Sequence, residues 1–248
     1  MRGYILAVGA AAFISLFYLL IDPSSEIMPF FSNLSVTALS LIAALSAAVN
    51  LRRYGLRGKI PRCFILILAA SVLWFLGEAI WSFYALVLGE AFPYPSLADL
   101  FWVAGFPVMA GGLAYYLRAF EASFDRVRFG AGLAVSTALV LIIIATLIAP
   151  VMEPSSDPLA RAFDLLYPLL DAAIIFIIIV AVFTFRGGRI GRAWYLLAAS
   201  LFMDAAADVM FGHAAATGAY YEGHPLDLLY DYGYILFTLA MYEHQRAL

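Results

Sequence analysis

The chain has 248 residues, of which 65% are hydrophobic and only 12% are charged, and its net charge is −3. A soluble domain carries about 25% charged residues, so this composition leaves too little polar surface to cover a water-soluble globule. The sequence has no long basic run and no zinc-type Cys/His spacing, which argues against nucleic acid as a partner. Its single cysteine excludes an intrachain disulfide.

Apolar stretches long enough to cross a bilayer follow one another along the chain. A membrane helix needs roughly 20 largely apolar residues. Eight stretches fit this pattern, at 4–21, 34–51, 63–88, 100–117, 129–151, 162–183, 193–213 and 226–241. The first is interpreted as a retained helix, because no small-residue cleavage site precedes the polar segment 22–25. The sequence therefore predicts an all-α, polytopic membrane protein with eight transmembrane helices in one integral membrane domain, 1–248.

The basic residues fall almost entirely on one side of these predicted helices. They lie in the segments 52–62, 118–128 and 186–192, and at the two ends of the chain as Arg2 and Arg246. Only Arg161 falls on the other side. Because positively charged residues mark the cytoplasmic side, both termini are predicted to be cytoplasmic in a multi-pass protein of the cell membrane.

The acidic residues have the opposite distribution. Six lie in or beside the predicted outer loops: Asp22, Glu26, Glu90, Glu153, Asp157 and Glu222. Eight more lie in the outer halves of the spans or near the outer interface: Glu78, Asp99, Asp164, Asp171, Asp204, Asp208, Asp227 and Asp231. An ionisable group inside a membrane is costly, so it usually faces a cavity, a partner or a functional site.

The spacing of these acids predicts which way they point. Asp204 and Asp208 are four residues apart in one predicted helix, as are Asp227 and Asp231 in the next, so each pair shares a helix face. Asp164 and Asp171 share a face at a spacing of seven. Predicted helices three, four, six, seven and eight are therefore expected to surround an acidic cavity that opens outward. Helices one and five, which carry no acid, are expected to face lipid.

A structural role is the alternative for these acids. Protonated carboxyls can link helices by hydrogen bonds, and the nearby tyrosines Tyr167, Tyr230, Tyr232 and Tyr234 are possible partners. Three acids, Asp99, Asp164 and Asp227, come at predicted helix starts, where a carboxylate stabilises the exposed N–H groups. The deeper acids are the predicted ligand-binding residues: Glu78, Asp171, Asp204, Asp208 and Asp231.

Two tryptophans complete the predicted site. Trp74 and Trp81 flank Glu78 at helical spacings, and indole rings beside a carboxylate suit a small organic cation. The simpler interpretation is the aromatic belt of a membrane interface. A metal held by Asp208, Asp231, His213 and His224 is conceivable, but the spacing fits poorly, so no metal is predicted. The only lysine, Lys59, lies in a basic loop, which excludes retinal on a Schiff base.

The sequence also contains an internal repeat, covering 68–118 and 197–247. The string LAAS occurs at 68–71 and at 197–200, and each copy is followed by an acid, Glu78 or Asp208. The openings DLFW at 99–102 and DLLY at 227–230 follow, with Gly105 and Gly233 six residues beyond each aspartate. DLLY recurs at 164–167. This pattern predicts helical hairpins repeated in parallel.

Two stretches carry a resemblance to a known class of membrane segment. The stretch 74–118, with its opening PSLADLF at 95–101, and the string YPLLD at 167–171 resemble membrane-embedded N-terminal sensory regions of prokaryotic diguanylate cyclases and histidine kinases. That resemblance implies a sensor that signals through a cytoplasmic partner or an output domain missing beyond Leu248. The string ADVM at 207–210 is more faintly similar to the eight-helix lysoplasmalogenase-like family, which implies a lipid hydrolase using intramembrane carboxylates.

A membrane sensory or ligand-binding module with an outward-facing acidic and aromatic cavity is the favoured interpretation of the sequence. Its predicted partners are the lipid bilayer, a small cationic ligand and a cytoplasmic signalling protein. No catalytic residue or cofactor is identified, and an enzyme is the less favoured interpretation. The lipid hydrolase is the first alternative, and a proton or cation carrier is the second.

The charge pattern makes the topology directly testable. Reporter fusions placed after Leu248 and within the loop 153–157 are expected to lie on opposite sides of the membrane, because an odd number of predicted spans separates them. A membrane-sidedness assay, such as paired phosphatase and fluorescent-protein reporters, measures this. Reporters on the same side would show that the number of spans is wrong.

Overall fold

The computed structural model describes residues 2–90, 94–120, 126–151, 158–185 and 187–247. Within these ranges the chain forms eight α-helices and no strand. They are α1 (Arg2–Leu20), α2 (Ile27–Tyr54), α3 (Lys59–Phe83), α4 (Leu97–Ala119), α5 (Arg126–Val151), α6 (Pro158–Thr184), α7 (Gly188–Ala216) and α8 (Asp227–Ala247). A π-helical turn, Tyr84–Leu88, extends α3. The predicted outer loop with Glu153 and Asp157 lies outside the described residues, as does Arg186.

Six of the described helices are long and apolar enough to cross a membrane, namely α1, α2, α3 with its π-helical extension, α4, α6 and α7. The predicted all-α class is confirmed, and these helices are compatible with a multi-pass membrane protein. The other two helices differ in character. The apolar part described in α5 is shorter, Phe129–Ala138, and α8 carries Asp227, Asp231, Glu243 and Arg246 in 21 residues.

The observed helices extend beyond the apolar runs. α2 begins at Ile27, seven residues before the predicted span, because Ser32 and Asn33 interrupt the apolar pattern but are buried inside the bundle. α6 begins at Pro158 and has no acid in its first turn. The prediction that Asp164 caps this helix is therefore wrong. Asp99 does cap α4, in a capping box with Ser96, where the Ser96 N–H donates to Asp99 Oδ2 at 2.6 Å.

Six helices form a closed ring. Around it, α2 packs on α3, α3 on α4, α4 on α6, α6 on α7, α7 on α8, and α8 on α2. The hairpins α3–α4 and α7–α8 are the most extensively packed pairs in the described chain. α1 lies outside the ring against α8, and α5 lies outside it against α6 and α7. The ring thus includes α2, which the acid pattern did not indicate, and it leaves α1 and α5 at the periphery as predicted.

The end of the ring nearest the basic segments is filled by aromatic side chains. His244, which is 4% exposed, lies between two tyrosines. Its Nδ1 is 2.9 Å from the Tyr54 hydroxyl and its Nε2 is 2.7 Å from the Tyr116 hydroxyl. Phe64 and Trp194 pack against the same rings. This end of the bundle is closed by packing, so the larger cavity lies in the opposite half.

The α3–α4 hairpin is held at close distance by a reciprocal fit between glycines and tryptophans. Gly77 of α3 lies directly under the indole of Trp102 from α4, and Gly105 of α4 lies under the indole of Trp74 from α3. A Cβ at either glycine would overlap the facing indole nitrogen. Small residues at a membrane helix interface allow this kind of close packing. The two glycines therefore position both tryptophans at the inner surface of the ring.

The packing of glycine against tryptophan predicts different stabilities for alanine substitutions at two glycines of α4. Gly105→Ala should destabilise the protein by about 1–3 kcal/mol, because the added methyl group displaces Trp74 in a filled interface. Gly111→Ala is the matched control, since the nearest atom to its Cβ would be Leu66 Cδ1 at 3.9 Å. It should be neutral or slightly stabilising. Unfolding in detergent measures both changes, and equal stability of the two variants would contradict the packing described.

Candidate functional site

A cavity of about 120 Å³ lies in the half of the ring opposite the basic segments. For comparison, an engineered protein cavity of about 150 Å³ holds a benzene molecule. The N-terminal parts of α2, α4, α6 and α8 line it together with the C-terminal parts of α3 and α7, which agrees with helices that alternate in direction. The segment before α8 closes one side. The cavity can therefore hold a small molecule or several waters.

The cavity wall is acidic. Its carboxyl groups are those of Glu78, Asp99, Asp164, Asp171, Asp204, Asp208, Glu222 and Asp227. Among the described lining residues there is no lysine, arginine or histidine. A wall with eight carboxyls and no base favours a positively charged occupant, because a cation relieves the repulsion among these groups.

The rest of the wall is largely aromatic. The rings belong to Trp74, Trp81, Tyr94, Trp102, Phe106, Tyr167, Phe211, Tyr220, Tyr230 and Tyr234. Trp74 and Trp81 are only 7% and 6% exposed. The indole N–H of Trp74 donates to the Trp102 carbonyl at 3.2 Å, and Trp81 packs on Trp102 with ring centroids 5.6 Å apart. The aromatic-belt interpretation is therefore wrong for these two tryptophans, since belt residues face the membrane interface.

Six of the seven predicted ligand-binding residues line this cavity: Trp74, Glu78, Trp81, Asp171, Asp204 and Asp208. Asp231 is not part of the wall. It is 1% exposed and accepts a hydrogen bond from Ser35 Oγ of α2 at 3.2 Å. Asp227, Tyr230 and Tyr234 form the cavity face of α8, and a step of four residues from Asp227 turns Asp231 by about 40° around the helix, toward α2.

Tyrosines bond to three of the cavity acids from a neighbouring or facing helix. Tyr234 donates to Glu78 Oε1 at 2.8 Å, and the Trp102 indole also hydrogen-bonds to Glu78. Tyr230 donates to Asp208 Oδ1 at 2.8 Å. Tyr167 donates likewise to Asp99, at 2.9 Å.

Three of the four tyrosines expected as partners therefore serve this role. The fourth, Tyr232, hydrogen-bonds to Ser15 of α1 at 2.7 Å. These links show that part of the acidic cluster also holds the helices together.

Asp171, Asp204 and Asp208 have a different environment. The Asp171 and Asp208 carboxyls lie beside each other, and a hydrogen bond between them would need a proton on one of the two, because an ionised carboxylate only accepts. Asp171 is 4% exposed, and its Oδ2 has no hydrogen-bond partner among the described residues. The buried Oδ1 of Asp204 also has no hydrogen-bond partner among the described residues, and it lies against Gly233. These carboxyls have acceptor capacity that the described side chains do not fill.

Two tyrosines from the connecting segments form the rim. Tyr94 donates to Asp164 Oδ1 at 2.6 Å, and Tyr220 donates to Asp227 Oδ1 at 3.2 Å. Burial raises the pKa of the Tyr94 and Tyr220 hydroxyls, and the neighbouring aspartates raise it further. Both hydroxyls therefore remain neutral hydrogen-bond donors at physiological pH. Asp227 also accepts from Ser32 Oγ of α2 at 2.9 Å.

The two predicted repeat units present related arrangements at the cavity. In the first hairpin, Trp102 of α4 hydrogen-bonds to Glu78 of α3. In the second, Tyr230 of α8 donates to Asp208 of α7. Trp102 and Tyr230 occupy the same position in the DLFW and DLLY strings. This shared position is a sequence signal that could have identified Trp102 as a site residue.

The donor set does not favour a metal ion. Among the residues that the structure describes, no group of three or more His, Cys, Asp and Glu side chains is arranged to hold one. Of the four residues considered from the sequence, only Asp208 lines the cavity, whereas Asp231, His213 and His224 do not. The chemistry of the wall fits an organic cation better, because aromatic rings surround the carboxyls.

No protein-family model, curated protein or solved structure matches this chain.

Proposed function

We propose that this protein is a membrane-embedded sensory module that binds a small cationic ligand in the acidic and aromatic cavity. In this proposal all eight α-helices span the membrane, both termini lie in the cytoplasm, and the cavity opens to the outer side. The positions of the basic segments support this orientation. The observation that carries the function is the cavity wall itself, with eight carboxyls, ten aromatic rings and no basic residue among the described lining residues.

Electrostatics favours a cation over other small molecules. Charges interact strongly in the low-dielectric interior of a membrane protein, so an anion would be repelled by any ionised carboxyl in the wall. A cation gains from the carboxylates and also from the faces of the tryptophan and tyrosine rings. A neutral apolar molecule would leave the carboxyls without compensation.

Helix α8 connects the cavity with the opposite end of the bundle. Tyr230 and Tyr234 line the cavity, and three turns further along the same helix Glu243 and His244 are buried among the closely packed side chains. A ligand that moves the two tyrosines would therefore shift this packed end. The resemblance to sensory regions of diguanylate cyclases and histidine kinases supports the same role, in which a cytoplasmic partner or output domain reads the movement.

A second candidate is a lipid hydrolase, favoured by the Asp171–Asp208 carboxyl pair. One protonated and one ionised carboxyl in contact can serve as general acid and general base for the attack of water on a bound lipid. In this case Asp208→Asn would abolish turnover of a lysolipid by the purified protein. If the purified wild-type protein does not hydrolyse lysolipids, this candidate function is excluded.

Cation binding is testable through the intrinsic fluorescence of the protein. Three of its four tryptophans line the cavity, so alkylammonium ions should change the emission in a saturable way. Asp208→Asn should weaken this binding about tenfold or more, because the amide keeps the size of the side chain but removes its charge. Glu90→Gln, which alters an exposed acid outside the cavity, should bind like wild type. Equal binding by wild type and Asp208→Asn would contradict a charge-based site.

Signalling is testable through the only cysteine. Cys63 is fully buried at the packed end of α3, far along the bundle from the cavity. If ligand binding shifts this end, the rate at which a maleimide labels Cys63 should change severalfold when a saturating alkylammonium ion is added. The Asp208→Asn variant provides the control for direct effects of the salt. An unchanged labelling rate in wild type, with binding shown by fluorescence, would argue for a binding protein without transmission.

A further inference from the structure

If the protein binds a small cation, as proposed above, the cavity also limits which chemical class of cation can bind. Asp171 lines the cavity, is 4% exposed and has an oxygen, Oδ2, with no hydrogen-bond partner among the described residues. Asp204 lines the cavity one helix away, and its buried Oδ1 has no hydrogen-bond partner among the described residues. Buried polar atoms are nearly always hydrogen-bonded, so these oxygens indicate where a donor from a ligand or from water belongs.

Hydrogen-bond donors inside this part of the wall are scarce. The tyrosine hydroxyls are already committed, since Tyr234 donates to Glu78, Tyr230 to Asp208 and Tyr167 to Asp99. Water could donate to Asp171 and Asp204, but it would bring no positive charge to a wall without a base. An ammonium group supplies both the donors and the charge, in charge-assisted hydrogen bonds that are stronger than neutral ones.

The same requirement separates two kinds of organic cation. A quaternary ammonium ion binds through charge and aromatic faces, and it has no N–H group. It would exclude water from Asp171 and Asp204 without replacing the hydrogen bonds, which costs roughly tenfold or more in affinity. A primary ammonium ion has three donors in a compact group. Three donors match the three neighbouring carboxyls of Asp171, Asp204 and Asp208 on the adjacent helices α6 and α7.

The carbon part of the ligand is limited by the remaining wall. The volume of about 120 Å³ admits a short alkyl chain or a single small ring. Trp74, Trp81 and Trp102 provide an apolar surface on the α3–α4 side of the cavity. A short carbon chain can pack on these rings while its charged group reaches the carboxyls.

We infer that the ligand is a small primary amine in its protonated form. Its ammonium group donates hydrogen bonds to Asp171 and Asp204, beside Asp208, and its carbon chain packs on the tryptophan wall.

A pair of isomeric cations tests this assignment. Butylammonium and tetramethylammonium have the same formula and charge, and only the first has N–H donors. Binding of each to the purified full-length protein in detergent is measured by tryptophan fluorescence and by calorimetry, at a pH where butylamine is protonated. Butanol, which lacks the charge, is the neutral reference. Wild type, Asp204→Asn, Asp171→Asn and Glu90→Gln are compared, and thermal unfolding confirms that each variant is folded.

The expected result is that butylammonium binds wild type at least about tenfold more tightly than tetramethylammonium. This preference should shrink in Asp204→Asn and in Asp171→Asn, and it should persist in Glu90→Gln. Equal affinities, or tighter binding of tetramethylammonium, would overturn the primary-amine assignment and leave the cation-binding function in place. Binding of neither cation would overturn both. A preference that persists in both aspartate variants would overturn the assignment of Asp171 and Asp204.

Discussion

A carboxyl group buried among membrane helices needs a hydrogen-bond donor or a positive charge, because lipid offers neither. This requirement determines how the ring of helices is joined around the cavity. Tyr234 joins α8 to α3 through Glu78, Tyr167 joins α6 to α4 through Asp99, and Tyr230 joins α8 to α7 through Asp208. The acids that form the candidate site therefore also hold the ring in place. A substitution at Glu78 removes the hydrogen bond from Tyr234 that joins two helices, whereas one at Asp204 removes no hydrogen bond from a tyrosine.

His244 and the cavity acids show two different environments for buried polar groups in this bundle. In the half near the basic segments, His244 has a tyrosine hydroxyl at each ring nitrogen and is surrounded by packed rings, so its hydrogen bonds are complete. In the acidic half, Asp171 and Asp204 retain oxygens without donors among the described residues. Complete networks make a structure rigid, and incomplete ones are where a ligand can contribute. The packed half also contains buried atoms without a hydrogen-bond partner among the described residues, Trp194 Nε1 and Glu243 Oε1, so the complete bonding of His244 is a property of that side chain and not of the whole half.

Much of this architecture could be predicted from the sequence, for identifiable physical reasons. The apolar runs gave the number and order of the helices, and the four- and seven-residue spacings placed Asp164, Asp171, Asp204 and Asp208 on the inner face. Helix starts were less predictable, because polar residues such as Ser32 continue a helix once they are buried between neighbours. The participation of α2 in the ring follows from contacts distant in sequence, such as Ser35 with Asp231, which no local pattern reveals. Tyr94 and Tyr220 lie in connecting segments, where periodicity gives no direction.

Hydrogen bonding between helices explains the presence of some cavity acids but not of others. Glu78, Asp99, Asp164 and Asp227 each accept from a tyrosine, so burial among hydroxyls accounts for their presence in a membrane bundle. Asp171 and Asp204 receive no hydrogen bond from a tyrosine, and a leucine at either position would avoid the cost of burying a carboxyl with open acceptors. Since Asp204 lies against Gly233, where any larger residue would displace it, the backbone of α8 leaves room for this carboxylate at the wall. A binding role therefore explains Asp204 better than a structural role does, because its open oxygen contributes no hydrogen bond between helices.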